Sequence, residues 1–93
     1  MIHFADYQAE AFWHSHGQQC RPYAQFAQVL MRKLRMLDAA TELKDLLAPP
    51  GNHLEALRDN RSGQYSIRIN SQYRLCFNWT KDGPRNAEVV DYH

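Results

Sequence analysis

An α+β fold, with two N-terminal helices packed on a small, mainly antiparallel β-sheet, is what this sequence predicts. Three observations carry the prediction. Apolar residues recur at helical spacing through residues 22–39. They alternate with polar residues at period two from residue 65 onward. A stiff Ala48-Pro49-Pro50-Gly51-Asn52 break separates the two regimes. Helices followed by a run of strands point to helices gathered on one face of an antiparallel sheet. A chain of 93 residues suffices for one hydrophobic core and not two, so 1–93 reads as a single domain.

Residues 1–5 read as a short first strand. Residues 7–16 follow as a helix, with the helix formers Ala9, Glu10 and Ala11, the apolar anchors Phe12 and Trp13, and Gly17 to end it. Pro22 suits a first helical position. From there Tyr23, Phe26, Ala27, Leu30, Leu34 and Leu37 form one apolar stripe over 22–39, opposite Gln25, Gln28, Arg32, Lys33 and Arg35. Thr41 can cap a shorter turn through Leu47. Beyond the break, Tyr65, Ile67 and Ile69 alternate with Ser66, Arg68 and Asn70. Tyr73, Leu75, Phe77 and Trp79 then alternate with Arg74, Cys76, Asn78 and Thr80. These runs predict a hairpin turning at Asn70-Ser71-Gln72. Asp82-Gly83-Pro84 marks the next turn, and residues 86–91 a third strand carrying Ala87, Val89 and Val90.

Composition excludes several classes. The apolar content of 44% is ordinary for a globular chain. No apolar run approaches the roughly 18–20 residues of a membrane span. The first residues lack the basic-then-apolar pattern of a secretion signal, so the expected location is the cytoplasm, with no membrane partner. Cys20 and Cys76 form no C-x-x-C pair and read as two free thiols in a reducing compartment. The His14-x-His16 pair, with His3 and Cys20 nearby, lacks a second pair to complete a tetrahedral set, so no metal and no other cofactor is expected. There is no Gly-rich phosphate loop and no nucleophile elbow.

The net charge of +1 does not mark a nucleic-acid binder in bulk. The distribution says more. Eight of the eleven basic residues are arginine, whose planar fork suits phosphate better than the point charge of lysine. Arg58, Arg61, Arg68 and Arg74 crowd residues 52–76 against only Glu55 and Asp59. Strand alternation puts Arg68 and Arg74 on the face opposite Ile67, Ile69, Leu75 and Phe77. With the apolar face against the helices, both guanidiniums are expected on an uncovered face, on neighbouring strands and open to a substrate.

Several spaced segments then resemble one family. They are Leu37-Asp38-Ala39-Ala40-Thr41-Glu42-Leu43, Pro49-Pro50-Gly51-Asn52-His53-Leu54-Glu55-Ala56-Leu57, Arg61-x-Gly63-Gln64-Tyr65-Ser66-Ile67-Arg68-Ile69-Asn70-x-Gln72-Tyr73-Arg74-Leu75-Cys76-Phe77, and the ending Val89-Val90-Asp91-Tyr92-His93. Together they are similar to the HigB-like, or plasmid-maintenance killer, toxins of the RelE superfamily. The resemblance implies a RelE-like fold and ribosome-dependent cleavage of mRNA. It also implies neutralisation by a HigA-like helix-turn-helix antitoxin, with operator DNA bound only through the toxin–antitoxin complex. Carried over by position, the catalytic neighbourhood falls on Glu55, Arg58, Arg74, Asp91, Tyr92 and His93, with Arg61, Arg68 and Tyr73 as RNA contacts. Some relatives have histidine where this chain has Glu55, and lysine where it has Arg58. His53 lies two residues before Glu55, and a relayed role for it is a minor alternative.

Such ribonucleases need no metal, because the RNA's own 2′-OH attacks the adjacent phosphorus. His93 suits acid–base work, since an imidazole titrates near neutrality. Glu55 is a base if its surroundings raise its pKa. Arg58 and Arg74 stay charged and can stabilise the transition state. Tyr92 can stack on a base, and Asp91 can orient His93. Each has a plainer reading: a frayed end for His93, a solvated carboxylate for Glu55, packing for Tyr92, an ion pair for Arg74. Arg32-Lys33-x-Arg35 reads as a solvated helix face, with contact to ribosomal RNA as the alternative. Two competing functions share the fold: a catalytically silent antitoxin-binding, operon-regulating module, and a gyrase-directed toxin.

Overall fold

The computed structural model describes residues 1–61 and 63–92. Helix α1 (Tyr7–His14) starts where Asp6 caps it: Oδ1 accepts from the backbone N–H of Gln8 at 3.0 Å and of Ala9 at 3.2 Å. The other oxygen, Oδ2, accepts from the Tyr23 hydroxyl at 3.0 Å and the Val89 N–H at 3.4 Å. One carboxylate thus ties the first helix to the entry of the second and to the last strand. Burial first, and then Asp6, raises the Tyr23 phenol above its ordinary pKa. At the other end Gly17 (φ +85) turns the chain, and its N–H donates to the Phe12 carbonyl at 2.8 Å.

The second helix departs from the sequence expectation. Residues 24–26 form a 3-10 turn, and α2 spans Ala27–Ala39. Tyr23 is drawn inward to Asp6, and Phe26 tilts against Tyr73 with ring centroids 4.8 Å apart. These tertiary anchors override the helical pattern of 22–26. Leu30, Leu34 and Leu37 are fully buried as expected, and Lys33, which the periodicity places on the polar face, is buried as well. The turn after α2, Leu43–Leu47, is capped by Asp45 rather than by the Thr41 hydroxyl. The Asp45 carboxylate accepts from the backbone N–H of both Thr41 and Glu42, each at 3.0 Å, and those bonds, Glu42 first, lower its pKa.

The sheet has four antiparallel strands in the order β1-β2-β3-β4: β1 (Glu55–Ala56), β2 (Gln64–Arg68), β3 (Tyr73–Thr80) and β4 (Gly83–Asp91). The short edge strand β1 is additional to the three that alternation predicts. Residues 1–5 form only a parallel bridge, Phe4 beside Ala87, along the outer side of β4. The final strand begins at Gly83 because Asn86, at φ +57, absorbs one extra residue as a bulge between the Asn78–Arg85 and Cys76–Glu88 pairs. Ile67, Leu75, Phe77 and Ala87 face the helices and meet Phe12, Leu30, Leu34 and Leu37 in one core. No helix among the described residues is long and apolar enough to cross a membrane.

The opposite face is not open. Ser66 and Cys76 are wholly buried on it, and Arg74 is only 9% exposed. Burial raises the Cys76 thiol to a pKa of about 11, and both cysteines are free. The segment between residues 53 and 61 folds over this face, which alternation along β2 and β3 cannot anticipate.

Candidate active site

Arg74 is the centre of what that covering segment builds. Its Nε donates to Ser66 Oγ at 2.7 Å, and Nη2 donates to the carbonyls of Ser66 (3.3 Å) and His53. A guanidinium has five donors, and these bonds use three. Both donors on Nη1 remain, and Nη1 lies 3.3 Å from Glu55 Oε1. The guanidinium is fixed from behind and offers one nitrogen forward. Such an arrangement fits a cation aimed at a phosphoryl oxygen, since its orientation is set before any ligand arrives.

Glu55 contacts that nitrogen, and the Tyr92 ring lies beside the guanidinium. Both line an open pocket of about 530 Å³ with Ala56, Leu57 and Arg58. The Glu55 side chain is more than half exposed, at 56%. Arg58 is exposed, and its side chain makes no hydrogen bond or ion pair with the described residues. The Tyr92 ring lies 6.0 Å from Arg74 Cζ, within cation–π range, and stays 45% exposed. Its backbone N–H donates to the Gln72 carbonyl at 2.7 Å, which holds Tyr92 against the β2–β3 turn.

The other residues the sequence nominated lie elsewhere. Asp91 pairs with Tyr73 in the ladder, one register step from the Val90–Arg74 pair, and its Oδ2 accepts from Gln72 Nε2 at 3.0 Å. Tyr73 packs with Phe26 on the helix side of the sheet. Arg61 is bound to Glu88 at 2.8 Å and to Gln64 at 3.0 Å, and the Glu88 bond is the first cause of its raised pKa. Arg68 is the cross-strand neighbour of Arg74, yet it does not line the pocket of Glu55, Arg58 and Tyr92: it lines another with Arg32 and Lys33 of α2. His93 lies outside the described residues.

Two residues that sequence reading passed over support the site. Ser66 is the anchor of Arg74 Nε; its place on the same strand face as Arg74 was the only signal. Asn52 is wholly buried. It accepts from Lys33 Nζ and donates to the carbonyls of Leu46 (3.2 Å) and Ala48 (3.3 Å). That network pins residues 46–52 to α2 and so delivers the next residue, His53, whose carbonyl holds Arg74. A larger concavity, about 920 Å³, is lined by Ile2, Phe4, Trp13, His14, Asp38 and Arg85 and holds none of these groups. No three His, Cys, Asp or Glu side chains gather as a metal site among the described residues.

Residues 2–93 match the family model described as the RelE-like toxin of the type II toxin–antitoxin system HigB. The chain is 39% identical to Toxin HigB-1 of Vibrio cholerae serotype O1 (strain ATCC 39315 / El Tor Inaba N16961) over 92 residues, which covers 99% of this chain and 96% of that protein. It is 36% identical over 91 residues to an uncharacterized protein of Haemophilus influenzae (strain ATCC 51907 / DSM 11121 / KW20 / Rd), covering 98% and 89%. Among solved structures, the YoeB–YefM complex from Staphylococcus aureus contains a chain of similar fold. Its TM-score is 0.61 at 22% identity, and the match covers 100% of this chain and 95% of that one.

Proposed function

Because the chain belongs to the HigB-like family of RelE-like toxins of type II toxin–antitoxin systems, we propose that it is a metal-independent endoribonuclease that cuts mRNA on the ribosome and is silenced by a HigA-like antitoxin. The observation that carries the chemistry is Nη1 of Arg74, 3.3 Å from the exposed Glu55 carboxylate, which lines a pocket with Arg58 and Tyr92.

In this reading a ribose 2′-OH enters beside Glu55 and its neighbouring phosphate beside Arg74 and Arg58. Glu55 takes the hydroxyl proton as the 2′-oxygen bonds to phosphorus. The two guanidiniums stabilise the negative charge that gathers on the phosphoryl oxygens. The P–O5′ bond breaks, leaving a 2′,3′-cyclic phosphate, and the departing 5′-oxygen takes a proton from an acid, for which His93 is the candidate. Tyr92 stacks on a neighbouring base. The modest charge of the whole chain fits a nuclease that relies on the ribosome to position its substrate.

A second reading has one observation of its own: Arg74 already bonds Ser66, His53 and Glu55, so its charge can serve structure alone in a silent antitoxin-binding module. Primer-extension mapping of mRNA on programmed ribosomes separates the two. Cuts made by the wild type that vanish in Arg74→Ala and in His93→Ala support the nuclease. A folded wild-type protein that leaves the mRNA intact supports the module.

A further inference from the structure

Lys33 is a buried cation without a counter-ion among the described residues. Only 5% exposed, it makes one hydrogen bond, to Asn52 Oδ1, and no carboxylate among the described residues pairs with it. A lysine ammonium carries three donors, so two remain. It lines a pocket of about 390 Å³ together with Arg32, Arg68, Gly51, Asn70 and Ser71, and no acidic side chain lines that pocket.

The rim is equally one-sided. Arg32 and Arg68 have no acceptor partner among the described residues. Asn70 uses its Oδ1 to accept from the N–H of Gln72 (2.9 Å) and Tyr73 (2.8 Å), which leaves its amide donors unused. The pocket therefore presents three cations and further donors, with almost nothing to receive them. Burial, then Arg32, then Arg68 lower the Lys33 pKa, so the cations repel one another across the space. An anion would relieve both costs at once.

We propose that this pocket is an anion site that binds a phosphodiester group of RNA, apart from the phosphate held at Arg74. Two features favour RNA over an acidic peptide. Two of the three cations are arginines, suited to bidentate contact with phosphate. Arg68 and Arg74 are cross-strand neighbours, and the same segment bonds Lys33 through Asn52 and Arg74 through His53. The two sites thus flank one end of the β2–β3 ladder, where a continuous RNA strand or a ribosomal RNA backbone can run past both. The assignment to RNA rests on the nuclease reading, whereas the anion site itself does not.

The first experiment titrates the isolated protein with inorganic phosphate, against chloride at matched ionic strength, and follows backbone amides by NMR. Saturable shifts at Gly51, Asn70 and Ser71 that disappear in the Arg32→Gln/Arg68→Gln double variant are expected. These positions are at the surface and avoid the folding role of Lys33. No saturable shift, or shifts unchanged in the double variant, overturns the site whatever the protein does to mRNA. The second experiment finds the source. For a single-stranded RNA oligonucleotide, each lost phosphate contact lowers the slope of log affinity against log salt by about 0.7, the change expected for the double variant at this one-phosphate site. That result assigns the phosphate to mRNA. An unchanged slope with at least tenfold weaker co-sedimentation on mRNA-free ribosomes assigns it to ribosomal RNA. Loss of neither, or a loss confined to antitoxin affinity, overturns the assignment to RNA.

Discussion

Replacing Ser66 with alanine tests whether Arg74 works because it is held. Ser66 is wholly buried and cannot touch RNA, so its effect must pass through Arg74. Its Oγ accepts from Nε at 2.7 Å, a hydrogen bond from a charged donor. Such bonds contribute about 1.5–3 kcal/mol. For a domain of this size even the lower figure moves the melting midpoint down by about 6–12 °C. The guanidinium would still be held at Nη2 by the Ser66 and His53 carbonyls, so it would be loosened rather than lost. Removing a transition-state donor outright costs roughly 100- to 1000-fold in rate, and loosening one should cost about tenfold. The assay is single-turnover cleavage on programmed ribosomes below the variant's melting range, with calorimetry on the same samples. The expected result is a slower cleavage step at an unchanged half-saturating ribosome concentration. A variant that melts lower yet cleaves at the wild-type rate refutes the role of a fixed guanidinium. A variant that matches the wild type in both refutes the geometry.

Three further outcomes follow from other parts of the molecule. Asn52→Leu strands the Lys33 ammonium and two carbonyls and should cost about 3 kcal/mol or more, whereas the Lys33→Met/Asn52→Leu pair should cost less than the sum of its single changes; urea melts that add simply would show the two are not coupled. Asp6→Ala loses the α1 cap and the partner of the Tyr23 hydroxyl, and should lower stability by about 1–3 kcal/mol in the same measurement. Cys76 keeps its proton in the folded state up to about pH 11, from an ordinary value of 9.0, while the unfolded chain loses it earlier. Stability should therefore fall between pH 9 and 11 by a component that Cys76→Ala removes, and wild-type and variant melts with parallel pH dependence would contradict this.

Much of the frame is legible because it is local. Period-two alternation finds β2 and β3 and the turn at Asn70-Ser71-Gln72, and the Leu30, Leu34 and Leu37 spacing finds α2. What is not legible is what a distant segment does to a surface. Alternation correctly sets Arg74 opposite Leu75, but the burial of that face depends on residues 53–61 folding over it. Arg68 is paired across the strands with Arg74 and still lines a pocket with α2, because it closes its strand there. Lys33 reads as a polar-face residue because helical period alone cannot see Asn52 arriving from beyond the proline break. Of the nominated residues, Glu55, Arg58 and Tyr92 line one pocket and Arg74 contacts Glu55 and the Tyr92 ring, whereas Tyr73 packs on Phe26 and Arg61 pairs with Glu88.

The carbonyl of His53 leads somewhere less obvious. Arg74 bonds an oxygen that every amino acid carries, on a residue whose own side chain is exposed and whose backbone sits at φ +44. Nothing in that bond depends on an imidazole. Any residue comfortable in a left-handed turn, glycine or asparagine above all, would supply the same acceptor. Position 53 can therefore change identity freely over evolutionary time while its shape is retained. A comparison of sequences letter by letter would score it as dispensable, although a proline or a bulky β-branched residue there would swing the oxygen away and release the guanidinium.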